Sequence, residues 1–337
     1  NPVPKFPFPA IRPYLYAMKF RTEIAVRPFA PEERIGYTNR ILALGSCFAS
    51  ETASRLCRLR FRCTAHPTGI LFNPASIADA LEDYAAARPA ARGELHRTDG
   101  VWHHFGFHGS FSGTDPDAVL DAMNRARRLG AEALRAADRV LLTFGTAWVY
   151  ERDGRAVANC HRRPAAEFVR RRLTVTEIAE RYGALLRGPL AGKRVILTVS
   201  PVRHLADGLE GNAASKAVLR LAAEELAAAH DTVRYFPAYE AVLDDLRDYR
   251  FYADDMAHPA PAAAEYVWEK FAAAAFDDPT RALAERVRRI VEAAEHRPLH
   301  PDSEAYRAFC RARLAEIDAL PEMDFAKERA FFARNIG

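Results

Sequence analysis

A serine at the point where a strand gives way to a helix is the first group in this chain equipped for chemistry. Ile41-Leu42-Ala43-Leu44 is a short apolar run that stops at Gly45, and an amphipathic, helix-like segment follows Ser46 at once. A strand that ends at a glycine and turns straight into a helix leaves the next side chain at the carboxyl edge of a sheet. It also aims the unpaired N–H groups of the helix start at the same place. In an open α/β sheet that edge is where ligands bind. Two uses of Ser46 fit the placement. It can be a nucleophile whose own backbone N–H helps hold an oxyanion, or it can simply cap the helix, a position serine favours.

A nucleophilic serine needs a base. The best-placed candidates lie far along the chain, in Tyr249-Arg-Phe-Tyr-Ala-Asp-Asp-Met-Ala-His-Pro259. Asp255 and His258 are three residues apart in a turn, just before a proline and a new helix. A carboxylate there can hold the imidazole Nδ1–H and leave Nε2 free to take the serine proton. Asp254 is the neighbouring, less favoured partner. Cys47 is a rival nucleophile, since a helix start lowers a thiol pKa. Neighbouring residues on such a turn point different ways, so one of Ser46 and Cys47 faces the interior.

Other groups suit substrate contact. His103, His104 and His108 lie in a glycine-bounded aromatic stretch, and strand alternation would put Trp102, His104 and His108 on one face. With no acidic residue among them, contact or packing fits better than a metal site. His161 follows the third strand, where it can line a pocket or serve as a hydrogen-bonded loop histidine. Arg203 and His204 follow the fourth. Arg203 can pair an anionic substrate group or the acidic pair Asp244-Asp245. Trp102, Trp148 and Tyr150 suit sugar stacking. Ser215-Lys216 reads as structural.

These groups need a scaffold, and the pattern of the chain supplies one. Apolar runs at 40–44, 61–65, 139–144, 193–199 and 233–236 alternate with helical spacing at 75–87, 116–137, 174–187 and 215–229. Near-continuous apolar strands separated by helices predict a parallel sheet buried on both faces. Residues 99–112 predict a β-hairpin insertion. Helices at 263–276, 279–296 and 303–319 close the domain and add a helical tail, which packs on its own domain or makes a homo-oligomer contact. Three segments result: an N-terminal extension at 1–17, an α/β domain at 18–278 and a helical extension at 279–337.

Composition sets the bounds. The 337 residues are 49% hydrophobic and 27% charged, with a net charge of +4. That is globular composition without a concentrated basic tract, so a nucleic-acid partner is not expected. Five cysteines, odd in number and without a CxxC pair, argue against a disulfide framework and for a reducing, cytoplasmic setting. No run reaches the ~20 apolar residues of a membrane span.

Gly45-Ser46-Cys47-Phe48-Ala49 resembles the signature of the GSCFA family. The resemblance continues through Thr143-Phe-Gly-Thr-Ala-Trp-Val-Tyr150, Asn159-Cys-His161, Ser200-Pro-Val-Arg-His204, Asp248-Tyr-Arg-Phe-Tyr252 and Asp255-Met-Ala-His-Pro259, over roughly residues 18–275. That family in turn looks like a branch of the SGNH (GDSL-like) hydrolases. The resemblance implies a flavodoxin-like α/β/α sandwich and a triad of Ser46, His258 and Asp255. It also implies oxyanion donors from Ser46 and Gly69, with Thr146 or Asn159 in place of an asparagine missing from the Gly145-Thr-Ala-Trp148 loop. The expected activity is that of a serine esterase or O-acyltransferase, without cofactor or metal. The expected substrate is a small-molecule or glycan ester, contacted by His104, His108, Trp148, His161 and Arg203. The alternative is a non-catalytic SGNH-like module that binds a glycan or a protein.

Overall fold

Apolar runs that end in glycine, serine or proline form the core strands. In the structure, a computed structural model describing residues 23–336, the elements run in chain order as follows. The first half holds β1 (Arg40–Gly45), α1 (Cys47–Arg58), β2 (Arg62–Ala65), α2 (Pro74–Ala85), β3 (His96–Thr98), β4 (Val101–His103), α3 (Pro116–Ala136), β5 (Arg139–Phe144), β6 (Trp148–Arg152) and β7 (Arg155–Val157). Then come β8 (Val169–Arg172), α4 (Val175–Arg187), β9 (Arg194–Val199), α5 (Gly208–Ala229), β10 (Val233–Tyr235), the single turn α6 (Ala238–Glu240), α7 (Pro261–Ala275), α8 (Asp278–Glu295), α9 (Glu304–Asp318) and α10 (Ala326–Arg334).

Five strands make one parallel sheet in the order β10-β9-β5-β1-β2. Chain order reverses beside β1, so the crevice between the carboxyl ends of β1 and β5 is the topological switch point of a flavodoxin-like sheet. Alternate residues of each strand serve opposite faces. Leu42, Leu44, Val140, Leu142, Val195 and Leu197 pack under α2, α4 and α5. Ile41, Ala43, Leu141 and Ile196 pack under α1 and α7. The expected three-layer α/β sandwich is therefore present. Its helices begin where local chemistry permits: Asn73 Oδ1 accepts the Ser76 N–H at 2.8 Å, with Pro74 next in line, and Thr174 and Glu177 form a capping box.

Two regions differ from expectation. The insertion is a shorter hairpin, β3 and β4 joined at Asp99-Gly100, both at positive φ. Residues after His103 leave the strand, so period-two alternation does not carry through to His108. A second antiparallel sheet, β7-β6-β8, was not expected. Its tight turn is Asp153-Gly154, again both at positive φ, the residue pair a two-residue hairpin requires. Residues 1–17 lie outside the described residues. The tail forms its own cluster around Val287, Ile290, Cys310, Ile317 and Phe332. It is joined to the domain by the ion pairs Arg58–Glu295 and Arg60–Glu328 and by Tyr37, which also stacks on Phe61.

Gly45 has φ +141, and a Cβ there would fall inside van der Waals contact with the Thr143 backbone. We expect Gly45→Ala to lower stability by about 2 kcal/mol or more, the scale of forcing a side chain into a disallowed backbone region against a neighbouring strand. Denaturant unfolding measures it. An unchanged midpoint would mean that this turn is not under the constraint described.

Candidate active site

The turn at the end of β1 places Ser46 in an unusual state. It occupies the N-cap of α1 with extended backbone, yet its side chain makes no capping hydrogen bond. The residue is 2% exposed and its Oγ has no partner. A buried hydroxyl without a partner forgoes about 1–3 kcal/mol, so the cap reading does not account for this side chain. Gly145 at the end of β5 closes one wall, where a Cβ would lie 3.1 Å from Ser46 Cβ and 2.7 Å from Phe72 O. Burial pushes the Cys47 thiol pKa up, which disfavours a thiolate there.

Asp255 and His258 meet as their spacing predicts. Asp255 Oδ2 lies 2.6 Å from His258 Nδ1, while Oδ1 accepts the N–H groups of Ala257 and His258, each at 2.9 Å. The two amides, then the imidazole, hold the Asp255 carboxyl down at about 2. Both side chains are about half exposed. The loop is tied to the sheet edge, since Arg203 N–H, just after β9, donates to Ala257 O at 3.0 Å. Ser46 Oγ and His258 are not hydrogen-bonded.

Beneath this edge lies a group that the sequence reading left as structural. Lys216, on α5, is fully buried. Its Nζ donates to Gly145 O at 2.6 Å and Ser200 O at 2.7 Å, joining the carboxyl ends of β5 and β9. His204 Nε2 lies 2.8 Å from the same Gly145 oxygen. Among the described residues Lys216 forms no ion pair, and burial lowers its pKa to about 7. Its position was legible: Lys216, Leu219, Ala223 and Leu226 share the buried stripe of α5.

Of the expected oxyanion donors, the N–H groups of Ser46, Gly69 and Thr146 have backbone acceptors. The Ser46 N–H donates to Thr143 O at 3.2 Å, continuing the parallel ladder, and the Gly69 N–H closes a turn onto His66 O at 2.8 Å. The Thr146 N–H and the Gly145 N–H both go to Phe72 O. Thr146 Oγ1 lies 3.2 Å from Ser215 Oγ and accepts the Trp148 N–H. Asn159 Oδ1 accepts the His161 N–H at 2.8 Å, which leaves its Nδ2 as a spare donor beside Gly109. Cys47 and Phe48, the first two residues of α1, have N–H groups with no acceptor inside the helix. The sequence places unpaired helix-start N–H groups here, and the structure assigns them to these two residues. Sequence reasoning missed Ser50, one helical turn after Ser46, whose Oγ lies 3.1 Å from His66 Nε2. Burial, then His108, lowers His66 to about 4.

Of the expected contact residues, His104 and His161 touch, while Trp148 and Arg203 have other partners. His104 Nδ1 accepts the Gly106 N–H, and burial lowers this histidine to about 4. His108 Nδ1 accepts the Ser110 N–H while its Cβ packs on Gly69. His161 reaches His104 O at 3.0 Å and stacks on the buried His103. Trp148 donates to Gly211 O and carries the Arg170 guanidinium on its face. Arg203 is not paired with Asp244-Asp245. Arg247 holds Asp244, while Lys270 and Tyr266 hold Asp245. Among the described residues no group of three or more His, Cys, Asp or Glu is placed to hold a metal ion, and no helix is long and apolar enough to cross a membrane.

Lys216 generates a pH prediction. Its pKa near 7 in the folded protein lies below its ordinary value near 10.5, so between these values the unfolded chain binds more protons and stability rises with pH. A single such group contributes a slope of up to about 1.4 kcal/mol per pH unit. We expect the gain in unfolding free energy from pH 7 to pH 9 to shrink by about 1–3 kcal/mol in Lys216→Met, whatever the variant's absolute stability. Parallel pH profiles in urea unfolding would contradict the assignment.

A search of curated proteins finds no match. The GSCFA family profile matches residues 40–271, spanning the parallel sheet, Ser46 and the Asp255–His258 loop. A second profile, described as GSCFA domain protein, C-terminal domain, matches residues 287–336 of the helical tail. The chain belongs to the GSCFA family.

Proposed function

We propose that this protein is an SGNH-like serine esterase or O-acyltransferase in which Ser46 is the nucleophile, His258 the base and Asp255 the residue that orients it. The observation that carries the reading is the Ser46 hydroxyl, buried without a partner at the start of α1, on the same sheet edge as a preformed Asp–His pair. An orphan hydroxyl there asks for a functional explanation, and catalytic hydrogen bonds are often open before substrate binds.

In this reading the exposed His258 loop moves onto Ser46. His258 Nε2 takes the Ser46 proton as Oγ attacks an ester carbonyl, and Asp255 stabilises the imidazolium. The oxyanion is held by the N–H groups of Cys47 and Phe48, aided by the positive end of α1 and by Asn159 Nδ2. His258 returns the proton to the leaving alcohol. Water or an incoming hydroxyl then repeats the cycle in reverse, which makes hydrolase and transferase one mechanism with two acceptors. An O-acylated glycan is the proposed substrate class by fold analogy. The Trp148 and Tyr150 rings, both bearing Arg170, supply a stacking surface of suitable chemistry.

The second reading is a non-catalytic binding module. It is favoured by the missing Ser46–His258 hydrogen bond and by the engaged amides of Ser46, Gly69 and Thr146. Aryl acetate hydrolysis separates the two. We expect Ser46→Ala and His258→Ala each to lower kcat/KM by about 10³-fold or more, and Asp255→Asn to lower kcat with little change in KM. Turnover in Ser46→Ala equal to wild type would overturn the esterase reading.

A further inference from the structure

The environment of Arg203 says something about what this site would bind. Its guanidinium lies over aromatic rings, with Cζ 3.8 Å from the Tyr252 ring centre and 5.4 Å from that of Tyr249. Its other near contact is weak, with Nη1 3.5 Å from Met256 O. Among the described residues no carboxylate pairs with it, and the two acids nearest in expectation, Asp244 and Asp245, are held by other cations. Of the neighbouring arginines, Arg170 pairs with Asp207 and Arg220 with Glu240 and Glu224, while Arg172 lies over Trp148. An arginine held on an aromatic shelf has already given up much of its rotamer freedom, and it keeps a planar fork suited to two oxygens of one anion.

Position and field point the same way. The backbone N–H of Arg203 bonds to Ala257 O, so the guanidinium travels with the loop that carries His258. Lys216 lies at the same sheet edge without a counter-ion. The acid of the site, Asp255, is already engaged by two amides and His258. An exposed guanidinium without a carboxylate partner favours an anion over a neutral ligand.

We propose that the substrate of this site carries an anionic oxygen group, a carboxylate or phosphate, which Arg203 binds bidentately beside the reacting ester. The word ester rests on the nucleophile reading above, while the charge rests on Arg203. A bound anion would also anchor the His258 loop, because Arg203 and Ala257 are joined directly.

The test has one arm that needs no catalysis. Benzoate, phenyl phosphate and neutral benzamide are titrated into wild type, Arg203→Gln and Arg203→Lys by NMR at low salt, with melting temperatures confirming the fold. We expect the anions to bind wild type at least about tenfold more tightly than benzamide, Arg203→Gln to abolish that preference and Arg203→Lys to keep part of it. The stronger of the two anions identifies the group. The second arm compares hydrolysis of 4-acetoxybenzoate with that of its methyl ester, with the wild-type kcat/KM ratio expected to fall about tenfold in Arg203→Gln. An anion preference absent from wild type, or unchanged in Arg203→Gln, overturns the inference. Anion binding that depends on Arg203 without any hydrolysis upholds the inference and removes the esterase reading instead.

Discussion

The carboxyl edge of the sheet depends on one buried ammonium. Lys216 joins Gly145 O to Ser200 O, and so fixes the last residues of β5 and β9 relative to each other. Gly145 is also the residue pressed against Ser46, and the segment after Ser200 carries Arg203 and His204. Each carbonyl needs a donor where the ladder ends. A lysine without a carboxylate meets that need at the cost of burying a charge, which its lowered pKa records. A water-filled edge would be cheaper and looser. The bonded alternative defines the position of the wall beside Ser46.

That arrangement separates two kinds of preparation. Asp255 and His258 are preassembled, because the carboxylate is satisfied by the two amides of its own turn as well as by the imidazole. Ser46 is prepared in the opposite sense: it is stripped of partners and held at a helix start, where the nearby charge and N–H groups favour an oxyanion. What joins them is the loop from Ala253 to His258, which is exposed at its centre, with Met256 at φ +55. An anionic group on Arg203 would act on that same loop through the bond to Ala257. Recognition and assembly of the site would then be one event.

Much of the fold was legible because it rests on periodicity. The five strands were visible as apolar runs ending in helix breakers, and the flanking helices as stripes with recognisable caps. The antiparallel sheet β7-β6-β8 was missed although Asp153-Gly154 announces its turn, since its strands are short and rich in arginine, with Val149 and Val157 as their buried anchors. At the site, the Asp255–His258 spacing translated directly into contact because both residues belong to one turn. The oxyanion donors did not, because which amide is free depends on long-range partners such as Thr143 O and Phe72 O, and no local pattern encodes those. Lys216 was visible as a charge on an apolar stripe, but its acceptors come from two other strands.

The central claim is that Ser46, and not its neighbours, is the group activated by His258. Treatment of the folded full-length protein with a fluorophosphonate, followed by peptide mapping of the adduct by mass spectrometry, tests it most directly because the reagent needs no knowledge of the substrate. A single phosphonyl adduct on Ser46, lost in His258→Ala, is the expected result. An adduct on Ser50 or Cys47, or none on the folded protein, would contradict it.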